Sequence, residues 1–187
     1  GFSPGLDFES QLISKPDAAS VLERELRHRT YKCQLIQLGA NTDPYQPIER
    51  TQMITRQVLQ VFERFHHPFG IITKPDLVLR DLDILAPMAA RSLASVAVSI
   101  TTLDRDLARR LEPRAPTPMK RLAAVRKLSE AGIPTTVMVA PVIPALTDHE
   151  LERIIEAATL AGASGAVYIL LRLPLEIEGL FEEWLET

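Results

Sequence analysis

Cysteine is almost absent from this sequence, and its scarcity excludes several kinds of site. The 187 residues contain a single cysteine, Cys33. One thiol cannot form a disulfide within the chain, which is usual for a protein of the reducing cytoplasm. It also cannot supply the several thiolates that zinc and iron–sulfur sites take from cysteine. The sequence therefore predicts a cytoplasmic protein without a cysteine-built metal centre of its own.

Long apolar runs and an excess of charge of one sign are missing as well. No stretch approaches the ~20 apolar residues that span a bilayer, and no signal peptide opens the sequence. We therefore expect no membrane contact. The net charge of −3 neither favours nor excludes a nucleic-acid partner, and nothing indicates an oligomeric state. The sequence starts at Gly1 rather than at methionine, as expected for a piece of a longer polypeptide.

What the sequence does contain is a repeated alternation of short apolar runs and helical patterns. The runs predict five strands, over Leu35–Leu38, Gly70–Thr73, Val96–Ile100, Thr135–Ala140 and Ala166–Leu171. The repeat length of roughly 25–40 residues is that of a βαβ unit. Nearly all-apolar strands must be covered on both faces, which favours a parallel sheet in one α/β domain over residues 1–187.

Such a domain is either a barrel or an open doubly wound sheet. No G-x-G-x-x-G or P-loop motif occurs, which weakens a dinucleotide or nucleoside triphosphate site. Polar or turn residues follow almost every strand instead, at Asn41, Asp43, Lys74, Ser99, Thr101, Pro141 and Arg172. Residues spread over five strand ends suit a barrel mouth better than a single crevice. We therefore predict a barrel or part of one.

Several element boundaries can also be predicted from turn and cap residues. A helix from Ile54 should stop at His66-His67-Pro68, because the residue before proline avoids the α region. Pro87 should kink or break a helix over roughly Leu79–Arg91. Thr147 and Glu150 have capping-box spacing, and the helix that follows should bury Leu151, Ile154, Ile155 and Ala158. A strand or an extended entry segment is expected over Glu9–Lys15, and a last amphipathic helix over Glu176–Glu186.

The loop after the first strand carries the densest group of hydrogen-bonding side chains. Asn41, Thr42 and Asp43 precede Pro44, and Pro47 follows shortly after. Prolines stiffen such a loop, and the carboxyl end of a parallel strand is where ligands bind. Asn41 and Asp43 therefore point to a ligand site. An equally good interpretation is that both side chains cap the turn.

The next two strand ends supply a cation and two hydroxyls. Lys74 could bind a carboxylate or phosphate, pair with Asp43, or simply extend into solvent. Ser99 and Thr101 share one face of their strand, because side chains alternate. Their hydroxyls either bind a ligand hydroxyl or satisfy the backbone. The alternation by itself favours the second interpretation.

Histidines and basic residues give weaker signals. His66 and His67 are adjacent and diverge on a helix, so they indicate a helix end rather than a metal site. His149 is expected at the surface. The stretch Arg105–Lys127 is rich in basic residues and could meet a phosphate backbone. It has no interleaved aromatic residues for base stacking, and helices commonly carry solvated charge.

Five segments together resemble the radical S-adenosylmethionine superfamily, in a bacterial branch similar to spore photolyase. They are LGANTDPYQPIER, IITKPDLVLRDLDIL, VAVSITTLDRDLARRLEPRAPTPMKRL, VMVAPVIPALTDHE and YILLRLP. The resemblance implies a partial (β/α)6 TIM-like barrel with parallel strands. It also implies a [4Fe–4S] cluster that cleaves S-adenosylmethionine to a 5′-deoxyadenosyl radical.

The cluster motif of the family, C-x-x-x-C-x-x-C after the first strand, would precede Gly1 and is missing from this sequence. Cys33 cannot replace it. The resemblance therefore implies that these 187 residues are inactive and hold no iron. It also invites DNA-lesion repair as the reaction, for which the basic stretch is the only support in the sequence.

The resemblance further assigns cofactor-binding roles to residues at the strand ends. Asn41, Thr42 and Asp43 match the loop that receives the methionine amino group, and Lys74 matches a lysine directed at bound S-adenosylmethionine. Ser99 matches a serine near the ribose, with Thr101 beside it. Charged groups near the methionyl end correspond to Glu112 and Arg114. The adenine would contact Val139, Ala140 and Pro141, and the end of the last strand would contribute Leu171 and Arg172.

Two other functions are compatible with the residues alone. The chain could be a non-catalytic binding module with a barrel-like core. It could also be a cluster-free barrel enzyme that acts on a phosphorylated metabolite, with Lys74 as the phosphate partner.

Overall fold

The computed structural model describes residues 13–173 and 177–186, which form one five-stranded sheet flanked by helices. The strands are β1 (Ile36–Leu38), β2 (Phe69–Thr73), β3 (Ala94–Ser99), β4 (Thr135–Val142) and β5 (Gly165–Leu170). The α-helices are α1 (Ala18–Leu26), α2 (Glu49–Gln52), α3 (Ile54–Phe65), α4 (Leu82–Ala89), α5 (Arg105–Leu111), α6 (Pro118–Glu130), α7 (Leu151–Leu160) and α8 (Ile177–Leu185). Two 3₁₀ segments, Asp76–Asp81 and Asp148–Glu150, precede α4 and α7.

The sheet is parallel throughout, and its strand order follows the chain order β1-β2-β3-β4-β5. A doubly wound sheet reverses its strand order at a switch point, whereas a barrel adds each new strand beside the last. The sequential order confirms the predicted barrel-like α/β architecture. It also brings the carboxyl ends of all five strands to the same edge of the sheet.

The two faces of the sheet differ in burial. One face packs against the helices, and its side chains form the core with Phe69, Ile71, Val96, Val98, Val137 and Val139. The opposite face carries Ile72, Ala97 and Thr136, which are in register with one another, and Met138, which is in register with Ser99. Ile72, Ala97, Thr136 and Met138 are only half-buried. We call this second surface the open face. It corresponds to the inside of a barrel wall.

The first two strands approach each other closely at Gly39, directly after β1. Its φ of +89° lies in the left-handed region that favours glycine. A Cβ added at this position would lie 2.1 Å from the carbonyl oxygen of Ile72. Glycine is therefore required where the chain leaves β1 and enters its polar loop.

Some boundary predictions are confirmed and others are wrong. Helix α3 ends at Phe65, directly before His66-His67-Pro68, as predicted. His66 takes a left-handed conformation at this helix end. A break at Pro87 is wrong, because Pro87 lies inside α4, and the change of helix type occurs earlier, at Leu82. The strand or extended segment expected over Glu9–Lys15 falls mostly outside the described residues, and residues 13–15 are not in a strand.

The predicted capping box is also wrong. The Thr147 hydroxyl accepts a hydrogen bond from the Ile143 amide at 2.8 Å, so it closes the preceding loop instead of capping the helix. The Glu150 carboxylate accepts from the Leu103 amide at 2.9 Å and from the Thr102 hydroxyl. The spacing of Thr147 and Glu150 suggested a local cap, but Glu150 instead contacts the loop after β3.

The last described strand differs from the other four in its exposure. All six residues of β5 are exposed, and Tyr168 keeps 63% of its surface accessible. Ile155 of α7 was expected in the core but is also exposed. The expectation that every strand is covered on both faces therefore fails at this edge of the sheet.

None of the helices in the described parts of the chain is long and apolar enough to cross a membrane.

Candidate functional site

The loop after β1 is fastened to the end of β2 by the Asp43 carboxylate. Its Oδ1 accepts hydrogen bonds from the Tyr45 amide at 2.9 Å and the Thr73 hydroxyl at 2.8 Å. Its Oδ2 accepts from the Lys74 amide at 2.7 Å. The predicted turn-capping role is therefore confirmed for Asp43. Asn41 and Thr42 are exposed at the tip of the same loop.

A network of side chains centred on the buried Asp81 carboxylate supports this loop through Tyr45. The Tyr45 hydroxyl donates to Asp81 at 3.0 Å, and the Asp81 carboxylate is fully buried. Arg56 and Arg80 both contact the same carboxylate at 2.8 Å. Burial, and then the negative charge of Asp81, raises the pKa of the Tyr45 phenol far above its usual range. Tyr45 therefore stays protonated and acts as a donor that holds the loop.

Lys74 extends from the end of β2 toward Glu112, which directly follows α5. The Lys74 Nζ atom lies 2.9 Å from Glu112 Oε1. The suggested pairing of its ammonium with Asp43 is wrong, because Asp43 binds the backbone amide of Lys74 instead. Two residues that are 38 positions apart in the sequence thus form an ion pair at the strand ends.

The other oxygen of Glu112 contacts a residue that sequence reasoning assigned only to the basic stretch. Arg121 Nη2 lies 2.5 Å from Glu112 Oε2, and the Arg121 side chain is 2% exposed. Burial raises the pKa of the Glu112 carboxyl, but the charges of Arg121 and Lys74 and their hydrogen bonds outweigh burial. The pKa of Glu112 therefore lies below its ordinary value, and the carboxylate is ionised at neutral pH.

The end of β3 presents two buried hydroxyls. Ser99 is in register with Met138 on the open face, and its Oγ donates to the Ala140 carbonyl at 3.3 Å. Thr101 follows two residues later and is 3% exposed. Within the described residues its hydroxyl has no hydrogen-bond partner. A buried hydroxyl without a partner is costly, so this position is suited to a ligand or water that supplies one.

The proposed adenine residues do not share one surface. Val139 is fully buried in the core on the helix side, so it does not face the open side of the sheet. Ala140 and Pro141 are half-buried and are joined by a cis peptide bond. Leu171 is half-buried and its amide donates to Val142 at 2.9 Å. Its neighbour Arg172 is exposed.

A cavity of about 650 Å³ lies at the carboxyl ends of β1 and β2 and beside the loop after α5. Its polar wall includes Asp43, Lys74, Glu112 and Arg114. Its apolar wall includes Leu77, Leu111 and the prolines Pro47, Pro75, Pro113 and Pro116. Four of the residues assigned from the sequence therefore meet at one cavity. Ser99, Thr101, Ala140, Pro141, Leu171 and Arg172 belong to neighbouring strand ends outside its lining.

Residues able to hold a metal ion do not gather at this cavity. Across residues 13–173 and 177–186, no three side chains of histidine, cysteine, aspartate or glutamate form a metal-binding group. His66 is at the helix end, as predicted, where its Nδ1 lies 2.6 Å from Arg91. His67 is buried and lies 2.7 Å from the Tyr31 hydroxyl.

Solved structures with a similar fold include a spore photoproduct lyase mutant with bound S-adenosylmethionine and a dinucleoside spore photoproduct. It superposes with a TM-score of 0.63 and 18% identity, over 90% of this chain and 50% of that chain. Streptococcus suis SuiB bound to S-adenosylmethionine gives a TM-score of 0.66 and 15% identity, over 94% and 40% of the two chains. At these identities the similarity establishes the fold.

Sequence comparison identifies the family. A Mycobacterium tuberculosis protein, Rv2578c, is 38% identical over 186 residues, which cover 98% of this chain. The same alignment covers 55% of that relative, so the chain spans about half its length. The family model of the radical SAM superfamily matches residues 13–158. The chain therefore belongs to the radical SAM superfamily.

Proposed function

We propose that this chain forms the S-adenosylmethionine-binding part of a radical S-adenosylmethionine enzyme. The observation that carries the proposal is the Lys74–Glu112 ion pair in the wall of the 650 Å³ cavity at the strand ends. Membership of the superfamily supports an enzyme with this cosubstrate. A spore photoproduct lyase and SuiB, which share the fold, bind the same molecule.

The charges at the cavity suit the methionyl end of S-adenosylmethionine. That end is a zwitterion, so a site for it needs one cation and one anion. Lys74 is the proposed partner of the carboxylate, and Glu112 is the proposed acceptor for the ammonium group. Asp43 is less suited to the ammonium, because its carboxylate already accepts three hydrogen bonds from the protein. Asn41, Thr42 and Arg114 would complete the proposed binding site for the methionyl end.

The nucleoside end is proposed to extend along the neighbouring strand ends. The Thr101 hydroxyl, which has no partner among the described residues, and the Ser99 hydroxyl would contact ribose hydroxyls. Ala140 and Pro141, with Leu171, would contact the adenine, and Arg172 lies beside them. Val139 would support this surface from the core rather than contact the ring.

The [4Fe–4S] cluster of the family does not fit the residues present. Such a cluster is held by several cysteine thiolates, and the only cysteine of the sequence is the exposed Cys33. We therefore propose that the cluster cysteines belong to a part of the longer protein outside this sequence. The 187-residue chain is then expected to hold no iron and to be inactive. An iron assay that finds a stoichiometric cluster on these residues would contradict this.

The same ion pair argues against a phosphorylated metabolite as the ligand. A phosphate group beside Lys74 would also lie close to the ionised Glu112 carboxylate, and, unlike the methionyl group, it carries no ammonium that could offset this repulsion. A purely non-catalytic binding module is the other alternative. A longer sequence without a cysteine triad would favour that alternative.

DNA-lesion repair is a second, more specific proposal for the reaction. Its support is the fold shared with spore photoproduct lyase and the basic stretch Arg105–Lys127. Part of this stretch is engaged within the protein, since Arg121 is buried and bound to Glu112. Arg109 and Arg110 remain exposed, although the Arg110 guanidinium also lies 5.2 Å from the centre of the Trp184 ring. If the exposed remainder binds DNA, neutralising Arg109 and Arg110 should weaken binding and flatten its salt dependence. An unchanged affinity for DNA would contradict the proposal that this stretch binds DNA.

Titration with S-adenosylmethionine tests the main proposal. The longer protein, with its cluster reconstituted under anaerobic conditions, should bind the molecule. Replacing Lys74 by glutamine should weaken binding by about 10- to 100-fold, because a charge-assisted hydrogen bond is lost. Lys120→Gln, an exposed lysine on α6, is the matched control and should bind like the unmodified protein. Absence of binding, or equal binding by both variants, would contradict the proposal.

A further inference from the structure

Arg121 is the most deeply buried cation near the cavity, and its position is unusual for arginine. It lies in the first turn of α6, with 2% of its side chain exposed. Burying a guanidinium costs free energy unless its donors find acceptors. Burial alone does not explain the residue, because an apolar side chain would fill a core position at lower cost.

The donors of Arg121 reach three separate segments of the chain. Its Nε donates to the Pro116 carbonyl at 2.8 Å, and its Nη1 donates to the Ser99 carbonyl at 3.0 Å. Its Nη2 donates to Glu112 Oε2 at 2.5 Å. One side chain thus joins the end of β3, the residue after α5 and the turn before α6. These are the segments that carry the proposed ribose and methionyl contacts.

The two oxygens of Glu112 are divided between two cations. Oε2 is held by Arg121 from inside the protein, and Oε1 contacts Lys74 at the cavity wall. Glu112 lies outside regular helix, at the start of a turn that contains Pro113 and Pro116. Without Arg121, few contacts would keep this carboxylate at a fixed distance from Lys74.

We infer that Arg121 is a positioning residue, which fixes the Glu112 carboxylate opposite the Lys74 ammonium so that the cavity recognises an amino-acid zwitterion. The inference rests on the proposed function and deepens it. It assigns the selectivity for the charged end of the ligand to a residue that does not line the cavity. The nucleoside end of the ligand should depend on Arg121 much less, because Arg121 bonds to the backbone carbonyl of Ser99 and not to the hydroxyl proposed to contact the ribose.

Two ligands separate positioning from general structural damage. S-Adenosylmethionine carries the zwitterion, whereas 5′-methylthioadenosine has the nucleoside without it. In the longer, cluster-reconstituted protein, Arg121→Met should weaken binding of S-adenosylmethionine by about 10-fold and weaken binding of 5′-methylthioadenosine much less. Arg126→Met, an exposed arginine on the same helix, should change neither affinity. Equal losses for both ligands, or no loss, would overturn the inference.

A double variant checks that Arg121 acts through Glu112. Glu112→Gln should reduce S-adenosylmethionine affinity, and adding Arg121→Met should cause little further loss, because coupled residues are not additive. Full additivity of the two losses would overturn the inference. If Arg121→Met does not fold, as judged by circular dichroism, Arg121→Lys replaces it. That variant keeps the charge but cannot make all three hydrogen bonds.

A second measurement needs no ligand and separates this inference from the proposed function. The carboxyl pKa of Glu112 can be followed by NMR in the chain labelled with ¹³C-glutamate. Removing Arg121 should raise that pKa, because a close positive charge is lost. An unchanged pKa would overturn the inference even if S-adenosylmethionine binds. If the pKa rises but no S-adenosylmethionine binds, Arg121 still positions Glu112 and the proposed function is wrong.

Discussion

The rim formed by the ends of β1, β2 and β3 and the edge formed by β5 are built differently. At the rim, buried charged side chains bond to one another and to the backbone, with Asp81 and Arg121 almost inaccessible to solvent. At the edge, the apolar side chains of β5 are all exposed and, among the described residues, the strand pairs only with β4. Buried charge pairs therefore fix the strand-end loops of this chain, whereas its last strand is left uncovered.

The largest expected effect tests the network under the rim. Asp81→Ala removes the common acceptor of Tyr45, Arg56 and Arg80. Breaking a buried charge network should lower the free energy of unfolding by about 3–5 kcal/mol. Chemical denaturation measures this loss. Asp83→Ala, which removes a mostly exposed carboxylate that also pairs with Arg56, should cost less than about 1 kcal/mol. Similar losses of unfolding free energy for both variants would show that the buried carboxylate matters no more than the exposed one.

Two isoleucines compare the core of the sheet with its edge directly. Ile71 on β2 is fully buried, and Ile169 on β5 is 48% exposed. Ile71→Ala should destabilise the fold by about 2–5 kcal/mol, because the deletion leaves a cavity. Ile169→Ala should cost under about 1 kcal/mol, because little apolar surface leaves water there. Equal shifts of the denaturation midpoint would show that β5 is covered in solution.

Ionisation of Glu112 should contribute to the pH dependence of the stability of the fold. Its folded-state pKa is lowered from the ordinary value of 4.5, so ionisation favours the folded state. The corresponding stabilisation is fully present above about pH 4.5 and is lost as the pH falls through the lowered folded-state pKa. The stability difference between the unmodified chain and Glu112→Gln should therefore shrink upon acidification. A difference that does not change between pH 7 and pH 3 would contradict this.

The smallest expected effect concerns the unpaired hydroxyl at the end of β3. Thr101→Val keeps the shape of the side chain and removes a buried polar atom without a partner in the described structure. We expect stability to stay equal or rise by up to about 1 kcal/mol, while S-adenosylmethionine affinity falls. Lower stability together with unchanged affinity would show that the hydroxyl serves the fold rather than a ligand.

The strands and the polar strand ends could be predicted from the sequence because their signals are local. Apolar runs bounded by glycine and proline placed all five strands to within a few residues. The exposure of β5 could not be predicted in this way. An apolar strand has the same pattern at an edge as in the middle of a sheet.

The pairing of charged side chains could not be predicted, because it depends on which segments meet in space. The Lys74 ammonium pairs with Glu112 rather than with Asp43, which is nearer in the sequence. Glu150 binds a loop 47 residues earlier although its spacing suggests a local cap. Arg121 lies among several exposed basic residues in the sequence, so counting charges could not identify the one that is buried.

The uncovered β5 has a practical consequence for handling the chain. Its sequence, GAVYIL, contains no charge and no proline, the residues by which exposed strands resist pairing with a neighbouring molecule. A concentrated solution of the 187-residue chain is therefore expected to self-associate edge to edge. A lysine in place of Tyr168 should improve its solubility without touching the rim.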